Sequence, residues 1–170
     1  DLTFSEYKDG FIGLRTHPHL RLTANLGKGV KAVFGQAANS EGVAGKGVWG
    51  QRANWIHYWG KVEGKDAGVA ILSHPSNPRN PSWWHARDYG LIAVNPFGPK
   101  RSKGDGQLAL PAGHSLTLRY RFLFHDLPGD LANIAKRYMA YSERKLVPRT
   151  MVLPIPSGVL ESSVPDDVAK

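Results

Sequence analysis

The sequence predicts a mainly β fold: an antiparallel β-sandwich, or part of a supersandwich, with one C-terminal α-helix. Three observations predict it. Nineteen glycines and twelve prolines punctuate the chain, cutting its apolar residues into short runs of strand length. Within 115–125, Leu116, Leu118, Tyr120, Phe122 and Phe124 alternate with Thr117, Arg119, Arg121 and His125, the period of two that gives a strand one buried face. Helical spacing occurs in one segment, 130–144, through Leu131, Ile134, Ala135, Tyr138 and Met139.

In chain order, strands are expected at residues 10–15, 20–23, 31–34, 54–62, 67–73, 90–95, 107–110 and 115–125. Glu63-Gly64-Lys65-Asp66 reads as the turn of a hairpin. Leu123 interrupts the polar side of the last strand, which implies that its outer face is partly covered. Asp130 suits a helix N-cap, and Lys136, Arg137, Arg144 and Lys145 lie towards the helix end, where positive charge complements the dipole. Residues 1–147 read as a single β-rich domain and 148–170 as an extended tail. Because strand-like sequence begins almost at once, an exposed sheet edge or apolar patch is expected near 10–34 or 54–73. A second polypeptide, a missing N-terminal part or a homo-oligomer would cover it.

Composition narrows the function classes. At 170 residues, 41% hydrophobic and 21% charged, the chain can bury one good core. No apolar run approaches the ~20 residues of a membrane span, so a periplasmic, secreted or cytoplasmic location is expected. The absence of cysteine excludes disulfides, zinc–thiolate sites and thiolate nucleophiles. The formal charge of +8 raises nucleic acid as a partner. However, the cations are scattered, and the densest group, Lys100, Arg101 and Lys103 beside Gly104 and Gly106, reads as a loop tip. No helix-turn-helix, zinc-finger or RNA-recognition pattern occurs. A basic surface attracts acidic polysaccharides equally well.

Chemistry concentrates in residues 72–98, LSHPSNPRNPSWWHARDYGLIAVNPFG. His74, Asn77, Arg79, Asn80, Trp83, Trp84, His85, Arg87, Asp88, Tyr89 and Asn95 crowd together there, among Pro75, Pro78, Pro81 and Pro96. Proline fixes φ and removes a donor, so the stretch reads as a rigid loop presenting polar groups and paired indoles. A plainer reading makes Trp83 and Trp84 caps on the core, Asn77 and Asn80 Asx-turn residues, and Arg87–Asp88 a surface pair.

From about Gly10 to His125 the chain resembles the bacterial proteins catalogued as methane oxygenase PmoA. The resemblance rests on His74-Pro75-Ser76-Asn77, Trp84-His85-Ala86-Arg87 and Asn95-Pro96-Phe97-Gly98. Members of that family are typically longer, with an upstream Asp-His-Pro-His-His motif that this chain lacks. The resemblance therefore implies the C-terminal portion of the family, a site shared between two halves, and a sandwich or supersandwich often encoded near carbohydrate-handling genes.

The remaining histidines have separate readings. His17-Pro18-His19 could offer two imidazoles to a metal if it lay on a strand, although Pro18 opposes a central strand. His57 is expected to pack or hydrogen-bond within a sheet, His114 to lie in a turn, and His125 is better placed to reach a site.

An ordinary glycosidase needs two carboxyl groups across the scissile bond. The dense stretch offers only Asp88, with Glu63 and Asp66 in the hairpin turn. The leading expectation is therefore a carbohydrate-directed enzyme of lyase, epimerase or elimination-type hydrolase class, acting on acidic or oxidised sugars without a required cofactor. His74 or His85 would be the base, Tyr89 the acid, and Arg87 with Asn77 the anion stabilisers. Trp83 and Trp84 would stack on the sugar, and Arg79, Asp88 and Asn95 would complete the binding set. The alternatives are a non-catalytic carbohydrate-binding sandwich and a metal-dependent copper oxidase using the histidines.

Overall fold

The computed structural model describes residues 1–25, 31–32, 34–98 and 106–144. Its strands are β1 (Leu2–Phe4), β2 (Ile12–Arg15), β3 (Ala24–Asn25), β4 (Lys31–Ala32), β5 (Gln36–Asn39), β6 (Arg52–Ala53), β7 (Trp55–Val62), β8 (Lys65–Ser73), β9 (Ser82–Ala86), β10 (Leu91–Asn95), β11 (Leu108–Leu110) and β12 (Tyr120–His125), followed by the helix α1 (Leu131–Ser142). Two four-stranded antiparallel sheets dominate: a first with order β2-β10-β9-β6 and a second with order β12-β8-β7-β5. β1 pairs with β11, and β3 with β4.

Side-chain alternation assembles the layers. Ile56 and Tyr58 of β7, Val69 and Ile71 of β8, Trp84 and Ala86 of β9, and Ile92 and Val94 of β10 meet in one core between the two sheets. The next residues along the second sheet, Trp55, Ala70 and Leu72, face the other way and pack against Ile134 and Tyr141 of α1. The order of layers is thus first sheet, second sheet, helix, as a mainly β chain with one amphipathic helix should give.

The hairpin at Glu63-Gly64 forms as expected. Val62 pairs with Lys65, and Glu63 (φ 52°) and Gly64 (φ 79°) both take the left-handed conformation of a tight two-residue turn. Asp130 caps α1, its Oδ1 accepting from Ala132 N at 2.9 Å and Asn133 N at 3.2 Å. Lys136 and Arg137 sit mid-helix rather than in the last turn. Lys145, the Lys100–Lys103 cluster and the 148–170 tail lie outside the described residues.

Other expectations need correction. Residues 20–23 are not a strand, since Pro18–Leu20 forms a 3-10 turn, where proline is accepted at the first position. The last strand starts at Tyr120, because its partner β8 ends at the opposing residue, Ser73. Its apolar face is incomplete, with Phe124 74% exposed. Ser82–Ala86, read as loop, is an interior strand of the first sheet, and β5 had no expected counterpart. Residues 54–73 occupy the middle of the second sheet, whereas Phe11, Ile12 and Phe34 are exposed near the chain start. Among the described residues no helix is long and apolar enough to cross a membrane.

Candidate functional site

Strand β9 divides the polar motif between two surfaces. Ser82, Trp84 and Ala86 point into the core, so Trp83 and His85 take the outer face of the first sheet. Trp84 is fully buried, and its Nε1 donates to Ala53 O at 2.9 Å. The expectation that it stacks on a ligand is corrected, because an indole enclosed by both sheets offers no face to solvent. Trp83 is half-buried on the outer face, opposite Arg52 and Asn95.

His85 lies opposite Ala93, and Ala93 opposite Gly13. Segment 7–11 crosses this face, with Tyr7 N donating to Phe97 O and Phe11 N to Val94 O. Its Gly10, at φ +99°, approaches so closely that a Cβ there would stand 2.7 Å from Ala93 Cβ. The segment covers His85, leaving it 5% exposed. Asp9 Oδ1 stands 3.9 Å from His85 Nε2 and 2.7 Å from Lys8 Nζ, while His85 Nδ1 is buried without a hydrogen-bond partner. Burial lowers the imidazole pKa below its usual value, with Asp9 opposing and Arg87 assisting, so the ring is neutral at neutral pH.

Beyond His85 the chain turns. Arg87 N donates to Leu91 O and Gly90 N to Arg87 O, closing the β9–β10 hairpin, and Tyr58 Oη donates to Arg87 O at 3.2 Å. Four side chains then alternate in charge and aromaticity. Arg15 Cζ lies 5.7 Å from the Tyr89 ring centroid, and Arg87 Cζ lies 5.5 Å from Tyr89 and 5.3 Å from Trp49. The ladder Arg15–Tyr89–Arg87–Trp49 is open to solvent, with Tyr89 40% and Trp49 38% exposed. Asp88 pairs with Lys46 at 3.2 Å rather than with Arg87. Lys46, Trp49, Ala86, Arg87 and Asp88 line a shallow cleft. Among the described residues no carboxylate lies within ion-pair distance of Arg15 or Arg87.

The other expected site residues lie apart from the ladder. His74 follows β8 on the helix side of the second sheet, its ring 5.1 Å from that of Tyr141; His74 and His85 therefore occupy opposite outer faces and cannot share one site. The Asn77 amide is taken up by Ser73 Oγ and by both backbone groups of Arg119, so it is no anion stabiliser. Asn95 donates to Tyr7 O and accepts from Phe97 N, a turn role that uses its amide internally. Arg79, at φ +64°, donates to Pro96 O. Asn80 donates to Asn54 Oδ1 at 3.3 Å.

His57 does hydrogen-bond within the sheet, its Nε2 2.9 Å from His125 Nε2. His17 Nδ1 accepts from His19 N around the 3-10 turn, so the pair lies on a turn rather than a strand, its rings 5.1 Å apart. Among the described residues no group of three or more His, Asp or Glu side chains is placed to hold a metal. The sequence reading missed Arg15, Lys46 and Trp49. They come from separate segments that only the fold brings beside Arg87, and no local pattern marks them.

These features define a class: a two-sheet antiparallel sandwich, faced on one side by a helix and on the other by a cation–aromatic ladder. Within that class, the chain belongs to the family of unknown function DUF6807, whose model matches residues 1–139. The match begins at the first residue and runs into α1. The expected placing of the chain as the C-terminal portion of the methane oxygenase PmoA family is thereby corrected, since nothing links it to PmoA. No match is found among curated proteins or solved structures.

Proposed function

We propose that the protein binds an acidic carbohydrate on the outer face of its first sheet. The ladder Arg15–Tyr89–Arg87–Trp49 carries this reading. Aromatic faces accept the C–H surface of a sugar ring, and guanidinium groups that have no carboxylate partner among the described residues suit a uronate, which they can hold through paired hydrogen bonds. The net charge of +8 adds long-range attraction for a polyanion. Isothermal calorimetry with uronate oligosaccharides tests it. Binding should weaken by at least about tenfold, or about 1.4 kcal/mol, in Arg87→Gln and in Trp49→Ala, and should fall with added salt. Equal affinity for neutral oligosaccharides, or no binding of any acidic one, would remove the reading.

A catalytic reading has one observation behind it: the neutral His85 lies two residues before Arg87, with Asp9 at 3.9 Å. In an elimination, His85 would take the proton beside the sugar carboxylate and Arg87 would stabilise the resulting anion. Tyr89 would protonate the departing oxygen as the carbon–carbon double bond forms. Segment 7–11 would have to lift to expose the imidazole. Formation of unsaturated product by the native protein but not by a folded His85→Ala variant supports this chemistry. Product formed equally by both removes His85 from it.

A further inference from the structure

The motif His74-Pro75-Ser76-Asn77 takes no part in the ladder. Its groups converge instead on Arg119, across the molecule. Asn77 Nδ2 donates to Arg119 O at 2.7 Å, Asn77 Oδ1 accepts from Arg119 N at 2.7 Å, and His74 N donates to Arg119 O at 3.1 Å. A side-chain amide here continues the pairing that β8 has just given up, and it fixes Arg119 beside His74. Arg119 Nη1 reaches Ser76 Oγ at 3.4 Å. Two residues on, Arg121 Cζ lies 4.4 Å over the buried Tyr141 ring, which also meets the ring of His74.

The hydrogen bonds define the state of His74. Its Nδ1 accepts from Ser76 N at 3.1 Å and lies 2.7 Å from Ser76 Oγ, so the proton of the neutral ring belongs on Nε2. That Nε2 is buried without a hydrogen-bond partner, in a residue only 8% exposed. Arg119 and Arg121 are both half-buried, and among the described residues neither has a carboxylate within ion-pair distance. Grouping partly desolvated cations without a counter-charge is unfavourable. An oxyanion between them would supply the counter-charge and accept from the guanidinium groups.

We propose that Arg119, Arg121, His74 and Ser76, gathered around Tyr141, form a second binding site, for the oxyanion of a carboxylate or a phosphate group. It lies on the helix side of the second sheet, on the opposite face of the molecule from the ladder, and does not depend on the carbohydrate reading. The test is a nuclear magnetic resonance titration of the full chain with inorganic phosphate and, separately, with glucuronate, following the His74 imidazole and the Trp49 indole. The expected result is a saturable shift of His74 with at least one anion, reduced by at least about tenfold in affinity in Arg119→Gln/Arg121→Gln. A response to phosphate alone identifies a phosphorylated ligand; a response to glucuronate alone identifies a carboxylate. Absence of any saturable His74 shift in the native protein overturns the site, as does a shift confined to Trp49. Unchanged affinity in the folded double variant also overturns it.

Discussion

Trp83 and Trp84 show how much one residue of register decides. Neighbours on a strand face opposite ways, so Trp84 is enclosed between the sheets while Trp83 stays half-buried outside. Trp84→Ala should destabilise the fold by about 3–5 kcal/mol, from lost burial and the cavity left behind. Trp83→Ala should cost clearly less. Urea denaturation of both variants checks this, and equal losses would contradict the assignment of faces. Asn77 is the polar counterpart. Asn77→Ala deprives the backbone N–H of Arg119 of its partner and leaves the Arg119 C=O with His74 N alone, at about 1–3 kcal/mol, and should leave ladder binding unchanged in calorimetry. The plainer sequence reading suited Asn77 and Asn95, whose amides serve the backbone. It did not suit Arg87, which packs between two aromatic rings instead of pairing with Asp88.

Element by element, legibility followed local signals. The β7–β8 hairpin and α1 were readable because a turn, a cap and a sustained period each lie within a few residues. β9 was not, because Pro75, Pro78 and Pro81 precede it and Pro96 follows it, hiding the proline-free stretch from 82 to 95 that forms two strands. The final strand was overextended because its alternation continues past the end of its partner. Pairing across strands also creates features invisible in sequence, of which His57 and His125 are the clearest. They meet over Gly68, where a Cβ would stand 2.3 Å from the His125 ring. Leu127 N donates to His125 Nδ1, so His125 Nε2 carries the proton and donates to His57 Nε2. Burial, with His125 assisting, holds His57 at about 3. Burial also lowers His125, with Arg137 assisting and Asp126 opposing. Both folded pKa values lie below the unfolded 6.5, so between them the unfolded chain binds more protons. The stability these rings contribute is complete above about pH 6.5 and declines as pH falls, by up to about 1.4 kcal/mol per pH unit for His57, with His125 acting in the same direction. Denaturation measured at pH values from about 7 to about 5 should show a shallower decline in His57→Gln/His125→Gln than in the native chain. An unchanged slope would mean that the pair does not carry this dependence. His74 and His85, also lowered by burial, keep the variant from being flat.

At the scale of the whole molecule, one proline-rich stretch supplies both outer faces. Its first part, His74 to Asn77, builds the surface near α1, and its later part, His85 to Tyr89, builds the ladder. The sequence gathered these residues into one site because they are close along the chain. The sandwich separates them because β8 and β9 belong to different sheets. The most direct measurement of the central claim is a chemical-shift map of the ¹⁵N-labelled chain during titration with a uronate oligosaccharide. The predicted result is a saturable set of shifts centred on Arg15, Trp49, Arg87 and Tyr89, with Lys46 and Asp88 at its margin. Shifts confined to other surfaces, or none at all, would contradict the assignment of the ladder as the carbohydrate-binding face.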